Sequence, residues 1–428
     1  MWENNRRKKI ILNVVLTVLI LAIVAGLGFA MIKVREQTQE HDEKLSELYV
    51  QQQREQTAAR QESVEVIEKE YERDMQTVAE YLPGIVCWGD SFTLGSSGNL
   101  SYPAVLKTYL DTYFCDIYDF RSTIENAEEF SRLRWDDYKV SVPVVNMGAG
   151  PEDTYTVLGR AGAMPYVLGQ DIQIPAEREP VEVKLLSENG NYVYPLTGGN
   201  AGVNNVHIGD VEGELSIDSS SYYYGGYRYF FTRSSEGAET MAPAGTPVVT
   251  AAADQYRDYI HIVCIGTYGT FYTAEELVKQ TRLLLSRQAH NPERYIVLGL
   301  CSANNSTYNT YTMDSIDTAM MQAFGNKYIN VRKYLVEDGL ADAQLTATKT
   351  DTLRISKGMV PDSFLSTSNS VELNGKAYAL IGKLVFNRMQ SLGYFDEVFD
   401  ELKIKETTMR IIKEDPKYFE NIIANKLG

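Results

Sequence analysis

The pattern of apolar and polar residues begins with a long apolar run near the N-terminus. Residues 10–32 contain only two polar side chains, those of Asn13 and Thr17. As a helix this run would be roughly 34 Å long, enough to cross the hydrocarbon core of a bilayer. The basic cluster Arg6–Lys9 precedes it, and basic residues favour the cytoplasmic side of a membrane. The pattern predicts a transmembrane signal anchor, with residues 1–9 as a cytoplasmic tail and the rest of the chain outside the cell.

Residues 33–82 are polar and contain neither Gly nor Pro, which predicts a helical stalk. Towards its end, apolar residues recur at spacings of three and four and mark one helix face: Val64, Ile67, Tyr71, Met75, Val78 and Leu82. This face predicts self-association of the membrane-distal part of the stalk, with a long coiled coil as one alternative. A merely solvated helix is the other alternative. Pro83 and Gly84 end the helix.

Apolar runs with strand character alternate with helical periodicity over residues 84–165 and again over 251–392. Such alternation predicts a parallel sheet with helices on both faces, a three-layer α/β/α domain. The predicted strands are Ile85–Trp88, Val140–Asn146, Tyr259–Ile265, Tyr295–Leu300 and Tyr328–Val331. The predicted helices are Tyr102–Tyr113, Glu152–Ala163, 274–289, 314–324 and 375–392.

Residues 166–250 differ from the flanking segments. Short runs of alternating apolar and polar residues are separated there by Asn-Gly, Gly-Gly and Ser-rich turns. They predict an antiparallel β module, a small barrel or sandwich, inserted into the α/β domain. The runs are Val181–Leu186, Tyr192–Leu196, Gly213–Ile217 and Tyr227–Thr232. Its tyrosines (222, 223, 224, 227 and 229) either form an exposed face for sugars or polypeptides or fill the module's core. Residues 393–428 predict an amphipathic helical tail.

Net charge and cysteine content limit the partners and the kinds of site that the sequence allows. The net charge is −16, and residues 1–35 contribute +5, so the remainder carries −21. An acidic body of this kind argues against nucleic acid as a partner. The cysteines predict buried thiols rather than a disulfide framework, and their spacing gives no metal site: Cys87, Cys115, Cys264 and Cys301. No cofactor is expected.

One stretch of the chain has the features of a nucleophile turn. The apolar strand from Gly84 runs into Gly89-Asp90-Ser91, and a helical segment follows. Glycine permits a tight turn, and a serine at a helix N-terminus lies at the positive end of the helix dipole. The alternative is an ordinary strand-turn-helix in which the serine only caps the helix.

Four segments in order make the α/β part resemble the SGNH (GDSL) hydrolases, which have a flavodoxin-like fold. They are Gly89–Phe92, Val144–Gly150, Ile265–Gly269 and Asn369–Asn374. The resemblance covers most of residues 84–392. It implies that Ser91 occupies the position of the family's nucleophile and that Asp90, Gly266 and Thr267 line the cleft. The anchor and the inserted module also resemble surface members of Gram-positive bacteria.

The chain departs from the family at the other catalytic positions. The family's histidine base corresponds to Glu372 and its aspartate to Asn369. A carboxylate is a weaker base than imidazole by roughly 3 kcal/mol in proton affinity. Tyr268 replaces the oxyanion-hole asparagine, and its hydroxyl is expected several ångströms further out. The donor glycine aligns with Pro151, which has no N–H, or with Gly150 if the alignment shifts by one residue.

No other residue is an evident replacement base. The chain has four histidines: His41 in the stalk, His207 in the module, and His261 and His290 at the far, N-terminal edge of the sheet. His207 could reach over to the cleft, with an ordinary surface or core histidine as the alternative. Asp362 is either a substitute carboxylate or a loop cap, and Asn304–Thr307 either line the cleft or form a plain loop.

These observations predict a single-pass protein of a bacterial plasma membrane whose extracellular SGNH-like domain is a pseudoenzyme. The predicted ligand of the cleft and module is a surface glycan, a wall polymer or a protein. One rival is an active serine esterase, O-acetyl hydrolase or acyltransferase on surface carbohydrate that uses Ser91. The other is a structural stalk protein whose head mediates assembly.

Overall fold

The fold is described from a computed structural model. Apart from the isolated residues 190, 193 and 196, it describes residues 2–95, 100–114, 140–150, 152–188, 203–218, 227–269, 271–301, 310–367 and 372–402. The chain divides into two compact units, Met1–Glu72 and Arg73–Gly428. Several sequence predictions fall outside the described residues: Cys115, Pro151, the tyrosines at 222–224, Asn304–Thr307, Asn369, and the tail beyond residue 402.

Helix α1 (Trp2–Tyr81) is continuous through the predicted anchor and the predicted stalk. Within it, Glu3–Ala59 contains a stretch that is long and apolar enough to cross a membrane, and this stretch is not buried by the protein. The last turns of α1 belong to the second unit. Val78 and Leu82 are buried there, so these two members of the predicted stalk face pack against their own chain.

Five parallel strands form the sheet of the α/β part: β1 (Ile85–Gly89), β2 (Val144–Gly148), β12 (Ile260–Cys264), β13 (Tyr295–Leu298) and β14 (Tyr328–Ile329). Their spatial order is β14-β13-β12-β1-β2. The chain therefore starts in β1, moves outward to β2, and then returns to the other side of β1. All residues of β1 and of β12 are buried, and each of these strands is paired on both sides.

The predicted second strand is four residues too long at its N-terminal end. Residues 140–143 are not in a strand, and β2 begins at Val144. Pro143 has no N–H to donate to a ladder, and its carbonyl oxygen accepts from Ile85 N–H at 2.8 Å. Val140 and Val142 are nevertheless buried, so their apolar character reflects packing rather than strand pairing.

Helices follow these strands along the chain. The described ones are α2 (Ser91–Leu94), α3 (102–114), α4 (Thr154–Arg160), α5 (Ala252–Gln255), α6 (Ala274–Leu285), α7 (Thr310–Phe324), α8 (Val331–Glu337), α9 (Gly339–Asp342), α10 (Lys349–Ile355), α11 (Gly375–Ser391) and α12 (Asp396–Glu401). A 3-10 turn, Asp362–Phe364, precedes α11. Helix α12 lies within residues 393–402, the described part of the predicted tail.

The inserted module is a separate antiparallel sheet that is nearly closed. Its strands are β3 (Tyr166–Leu168), β5 (Val181–Val183), β6 (Leu185–Leu186), β7 (Val206–Ile208), β8 (Val211–Asp218), β9 (Arg228–Arg233) and β11 (Pro247–Thr250), in the order β5-β9-β8-β7-β11-β3-β6. Two further strands within the same stretch of sequence, β4 (Ile172–Ile174) and β10 (Thr240–Ala242), pair with each other as a separate two-stranded sheet.

The predicted strand Val181–Leu186 is in fact two strands. Only Lys184 separates β5 from β6, yet they lie at opposite ends of the seven-stranded order. The two edges are therefore brought together by the chain itself, which explains the near closure. Tyr229 is buried in the module's core and donates from its hydroxyl to the Val193 carbonyl. For this tyrosine the core-filling interpretation is correct, and Tyr227 packs partly buried against the same cluster.

The module leaves the α/β part after α4 and returns to it before α5. Two hydrogen bonds join the parts at this point. The Tyr166 hydroxyl donates to the Thr156 carbonyl at 2.5 Å, and the Thr250 hydroxyl donates to the Arg160 carbonyl at 2.6 Å. Cys87, Cys264 and Cys301 are buried free thiols, as predicted.

Candidate functional site

Ser91 lies where β1 ends and α2 begins. Asp90 caps α2, and its side chain accepts from Phe92 N–H at 2.9 Å. Gly89 makes the turn possible, because a Cβ there would come within 2.1 Å of the Thr93 hydroxyl and 2.5 Å of the Cys264 carbonyl. As the first residue of a helical turn, Ser91 has a backbone N–H without an intrahelical partner. This is the arrangement that an oxyanion donor requires.

The Ser91 hydroxyl is hydrogen-bonded to the phenol of Tyr268. The two oxygens are 2.6 Å apart, and either can be the donor. The sequence predicts a Tyr268 hydroxyl several ångströms beyond the family's donor position; in the structure it reaches the serine itself. Tyr268 lies within a tight turn closed by the Gly269 N–H on the Gly266 carbonyl. Gly266 is in the left-handed region, at φ +112°.

Asp90 connects the serine turn to the tyrosine turn. Its buried carboxylate accepts hydrogen bonds from Phe92 N–H and from the backbone and side chain of Thr267, the residue before Tyr268. Burial raises the pKa of Asp90 to about 6, the nearby charge of Glu152 acts in the same direction, and the hydrogen bonds oppose both. Asp90 therefore lies beneath the cleft as a support and does not line it.

A cleft of about 450 Å³, including space open to solvent, begins at Ser91 and is called the Ser91 cleft. It brings together three residues that the sequence singles out, Tyr268, Thr267 and Glu372. The other lining residues are Phe92, Gly95, Cys301, Leu373 and Tyr378. The family alignment thus placed the serine and the carboxylate of the last segment in one cleft. Asn369 lies outside the described residues.

The segment that carries Glu372 is held by Asn374. Its side-chain oxygen accepts from Lys376 and Ala377 N–H and caps α11. Its amide donates to the carbonyls of Ser363 and Leu365, at 2.9 and 3.1 Å. Glu372 itself is exposed on this segment. A fixed backbone and an exposed carboxylate suit contact with a ligand that enters from solvent.

Asp351 supports the 3-10 turn to which Asn374 donates, and no pattern in the sequence singles it out. Its carboxylate accepts from the Ser363 N–H and hydroxyl and from Thr348. Burial raises the pKa of Asp351, but these hydrogen bonds outweigh it and bring the pKa to about 2. Asp362 begins the adjacent 3-10 turn and does not line the Ser91 cleft. Its backbone carbonyl accepts from Leu365 N–H, a main-chain contact that does not test the loop-cap interpretation of its side chain.

Gly150 packs directly against the serine. A Cβ at this position would come within 2.8 Å of the Ser91 Cβ. Of the two alignments that the sequence leaves open, the one with Gly150 places a residue with an N–H beside the nucleophile position. Pro151, the other candidate, lies outside the described residues.

No histidine serves the cleft. All four histidines are among the described residues, and none of them lines it. His41 is exposed in α1, His207 is exposed on β7, and His290 is exposed after α6. His261 is buried in β12 with its Nε2 3.2 Å from the Tyr256 carbonyl, and burial lowers its pKa to about 4.

A buried ion pair next to the turn was missed by the sequence analysis. Arg160 and Glu152 are fully buried and 2.8 Å apart. The guanidinium also donates to the carbonyls of Met147 and Gly89, near the ends of β2 and β1, and lies 5.7 Å from the Trp88 ring. Arg160 thus ties two strand ends together below Ser91. A spacing of eight residues across a helix start is not a recognisable pattern.

Among the residues that the structure describes, no three His, Cys, Asp or Glu side chains are grouped so that they could hold a metal ion. Comparison of the chain with protein-family models, with curated proteins and with solved structures finds no match in any of the three. The function is therefore inferred from the geometry of the Ser91 cleft.

Proposed function

We propose that this chain is a membrane-anchored, SGNH-like surface protein whose Ser91 cleft binds a ligand without turning it over. The observation that carries the proposal is the Ser91 contact. In this cleft the serine hydroxyl is bonded to the Tyr268 phenol, while no histidine lines the walls. Nucleophilic catalysis by serine needs an adjacent general base to take its proton.

The strand order supports the SGNH-like part of the proposal. Numbered along the chain, the five parallel strands are ordered 2-1-3-4-5, as in flavodoxin-like three-layer folds. In such sheets ligands bind outside the carboxyl ends of the strands, at the point where the strand order reverses. Here that point lies between β1 and β12. The turns of Ser91 and Tyr268 follow those two strands.

The location belongs to the same proposal. The apolar stretch of α1 would be a single-pass signal anchor in a bacterial plasma membrane. Basic residues before it favour a cytoplasmic N-terminus, which would leave the α/β part and the module outside the cell. The ligand would then be a cell-surface glycan, a wall polymer or a protein.

The alternative is an active serine esterase or acyltransferase. It is favoured by Glu372, because this carboxylate lines the same cleft as Ser91. In that case Ser91 would attack an ester carbonyl, form an acyl-enzyme and release the alcohol. Glu372 would take the serine proton and return it to the leaving oxygen. A carboxylate is a weaker base than an imidazole, so it is poorly suited to this step.

A fluorophosphonate probe distinguishes the two functions, since it reacts only with an activated serine. The full chain in a detergent micelle is incubated with the probe and its intact mass is measured, with Ser91→Ala as the control. The binding function predicts no mass shift in either protein. A stoichiometric adduct that disappears in Ser91→Ala would overturn it and establish the esterase.

A further inference from the structure

The loop after β12 carries two exposed tyrosines at the carboxyl end of the parallel strands, where the Ser91 cleft lies. Tyr268 is 42% exposed and reaches Ser91, whereas Tyr272 is 96% exposed. They are four positions apart in the chain, so their Cα atoms are at most about 14 Å apart. Tyr272 is therefore within reach of an extended ligand that also occupies the cleft.

This loop is fixed at three points. Thr267 is bonded to Asp90, and the Thr154 hydroxyl donates to the Gly269 carbonyl at 2.8 Å. At its far end, Tyr272 N–H donates to a carboxylate oxygen of Glu276 in the first turn of α6, also at 2.8 Å. The backbone of Tyr272 is held while its ring remains in solvent. With the backbone held, only the two side-chain torsions of Tyr272 remain to be ordered when a ligand covers the ring.

The described residues of the segments that meet at this end of the parallel sheet include no Lys or Arg: 90–95, 100–101, 149–150, 152–153, 265–269, 271–273, 299–301, 365–367 and 372–374. Their acidic residues other than Glu372 are buried in the structure. The remaining polar residues are mainly Ser, Thr, Asn and Tyr. Lys376, the first basic residue after these segments, is in α11 and does not line the cleft.

This composition selects among the ligand classes. A phosphate- or carboxylate-bearing polymer needs cationic partners, and an acidic protein without them at its cleft repels such a polymer. A neutral saccharide needs none. Its C–H faces pack on aromatic rings, and its hydroxyls bond to serine, threonine, tyrosine and carboxylate oxygens. Five of the nine residues that line the cleft carry such an oxygen: Ser91, Thr267, Tyr268, Glu372 and Tyr378.

We propose that Tyr272 is the outer subsite for a neutral saccharide chain whose inner unit lies in the Ser91 cleft. This inference depends on the proposed binding function and specifies its ligand. The cleft takes the hydroxyl groups of one unit, and the Tyr272 ring stacks on the apolar face of a neighbouring unit.

Titration calorimetry with the full chain in lipid nanodiscs tests the proposal, because nanodiscs avoid sugar-based detergents. The probes are hexasaccharides of chitin and of xylan, a phosphodiester-linked glycerol polymer, and a peptidoglycan stem peptide. We expect one of the neutral hexasaccharides to bind. Tyr272→Ala should raise its Kd about tenfold, whereas Tyr272→Phe should keep it within about twofold. Met241→Ala, which removes another exposed apolar side chain, on β10, should leave Kd unchanged.

Three outcomes would overturn the subsite: neither hexasaccharide binds, the phosphodiester polymer or the peptide binds in their place, or Tyr272→Ala binds the saccharide as tightly as the wild type. The fluorophosphonate experiment reports on the proposed function separately. An unlabelled Ser91 without saccharide binding refutes only the subsite, whereas a labelled Ser91 refutes the binding function.

Discussion

The hydroxyl of Ser91 has its hydrogen-bonding capacity engaged by a phenol. Whichever of the two oxygens donates, this pair contains no general base that would accept and keep the serine proton. If Ser91 is unreactive, as the proposed binding function requires, two explanations follow. Either Tyr268 masks a competent nucleophile, or the nucleophile lacks a base, and the second is the explanation favoured here.

Tyr268→Phe separates these explanations. The substitution removes the bond to Ser91 and keeps the ring, so the serine is freed without gaining a base. We expect Ser91 to remain unlabelled by the fluorophosphonate and the unfolding free energy to fall by about 1 kcal/mol. Tyr272→Phe, whose ring is almost fully exposed, is the matched control. Labelling of Tyr268→Phe would show that the phenol is a mask.

Asp90 predicts a pH dependence of stability. Burial raises its native pKa to about 6 against about 3.9 in the unfolded chain, so the native state binds the proton more tightly. The stability it contributes is complete below about pH 4 and is lost as the pH rises to about 6, by about 3 kcal/mol. Asp90→Asn cannot titrate. Chemical denaturation from pH 4 to 7 should show the wild type losing stability relative to Asp90→Asn; a constant difference would contradict this.

At the residue scale, the sequence predicted which residues belong to the site better than it predicted the contacts between them. The family alignment placed Ser91, Tyr268 and Glu372 in one cleft because each follows or precedes a recognisable element. It could not predict that the Tyr268 ring turns back to the serine, which depends on the left-handed turn at Gly266. The Glu152–Arg160 ion pair could not be predicted either, since buried ion pairs leave no periodic pattern in the sequence.

Helix α11 and the segment before it form the element that presents Glu372. Asn374 both caps the helix and bonds the two carbonyls of Ser363 and Leu365. The cap was readable from the sequence, because an asparagine precedes a helical period. The two donated bonds were not, because they connect positions nine and eleven residues away through a 3-10 turn.

Asn374→Ala should therefore loosen the whole segment. Loss of the cap and of the two amide bonds should lower the unfolding free energy by about 2 kcal/mol. Asn374→Asp keeps the capping acceptor and loses the amide donors. Its unfolding free energy should therefore lie between those of the wild type and Asn374→Ala. Hydrogen exchange should quicken at Ser366 N–H, which bonds the Glu372 carbonyl. Unchanged exchange there would mean that other contacts hold the segment.

Periodicity found the long elements and missed the short ones. The strands β1, β12 and β13 are buried apolar runs and lie within or next to their predicted ranges. Strands β3 and β7 have three residues each, too few for an alternating pattern to stand out. The division of one predicted strand into β5 and β6 follows from pairing across the module, which no local pattern encodes.

At the scale of the whole molecule, the apolar stretch and the charge asymmetry predict the orientation in the membrane. A protease added to intact cells stripped of their wall should digest the part after residue 33 and leave the tail at residues 1–9 protected. In inverted membrane vesicles the result should be the reverse. A tag at each terminus reports both, and accessibility of the N-terminal tag from outside would contradict the proposed topology.

The parallel sheet and its interruption by a β module were predictable from the alternation of element types. The near closure of the module was not, because it depends on which edge strands meet. Self-association of the stalk remains a prediction. Two of its six apolar positions, Val78 and Leu82, are buried in their own chain, which leaves less of that face for a partner.

The most direct test of the account compares ester turnover by two versions of the full chain. One is the wild type, and the other carries the four family residues: Pro151→Gly, Tyr268→Asn, Asn369→Asp and Glu372→His. The assay is hydrolysis of an aryl acetate at neutral pH, with Ser91→Ala in each background as the blank. We predict no Ser91-dependent turnover by the wild type and measurable turnover by the quadruple variant. Ser91-dependent turnover by the wild type would contradict the account.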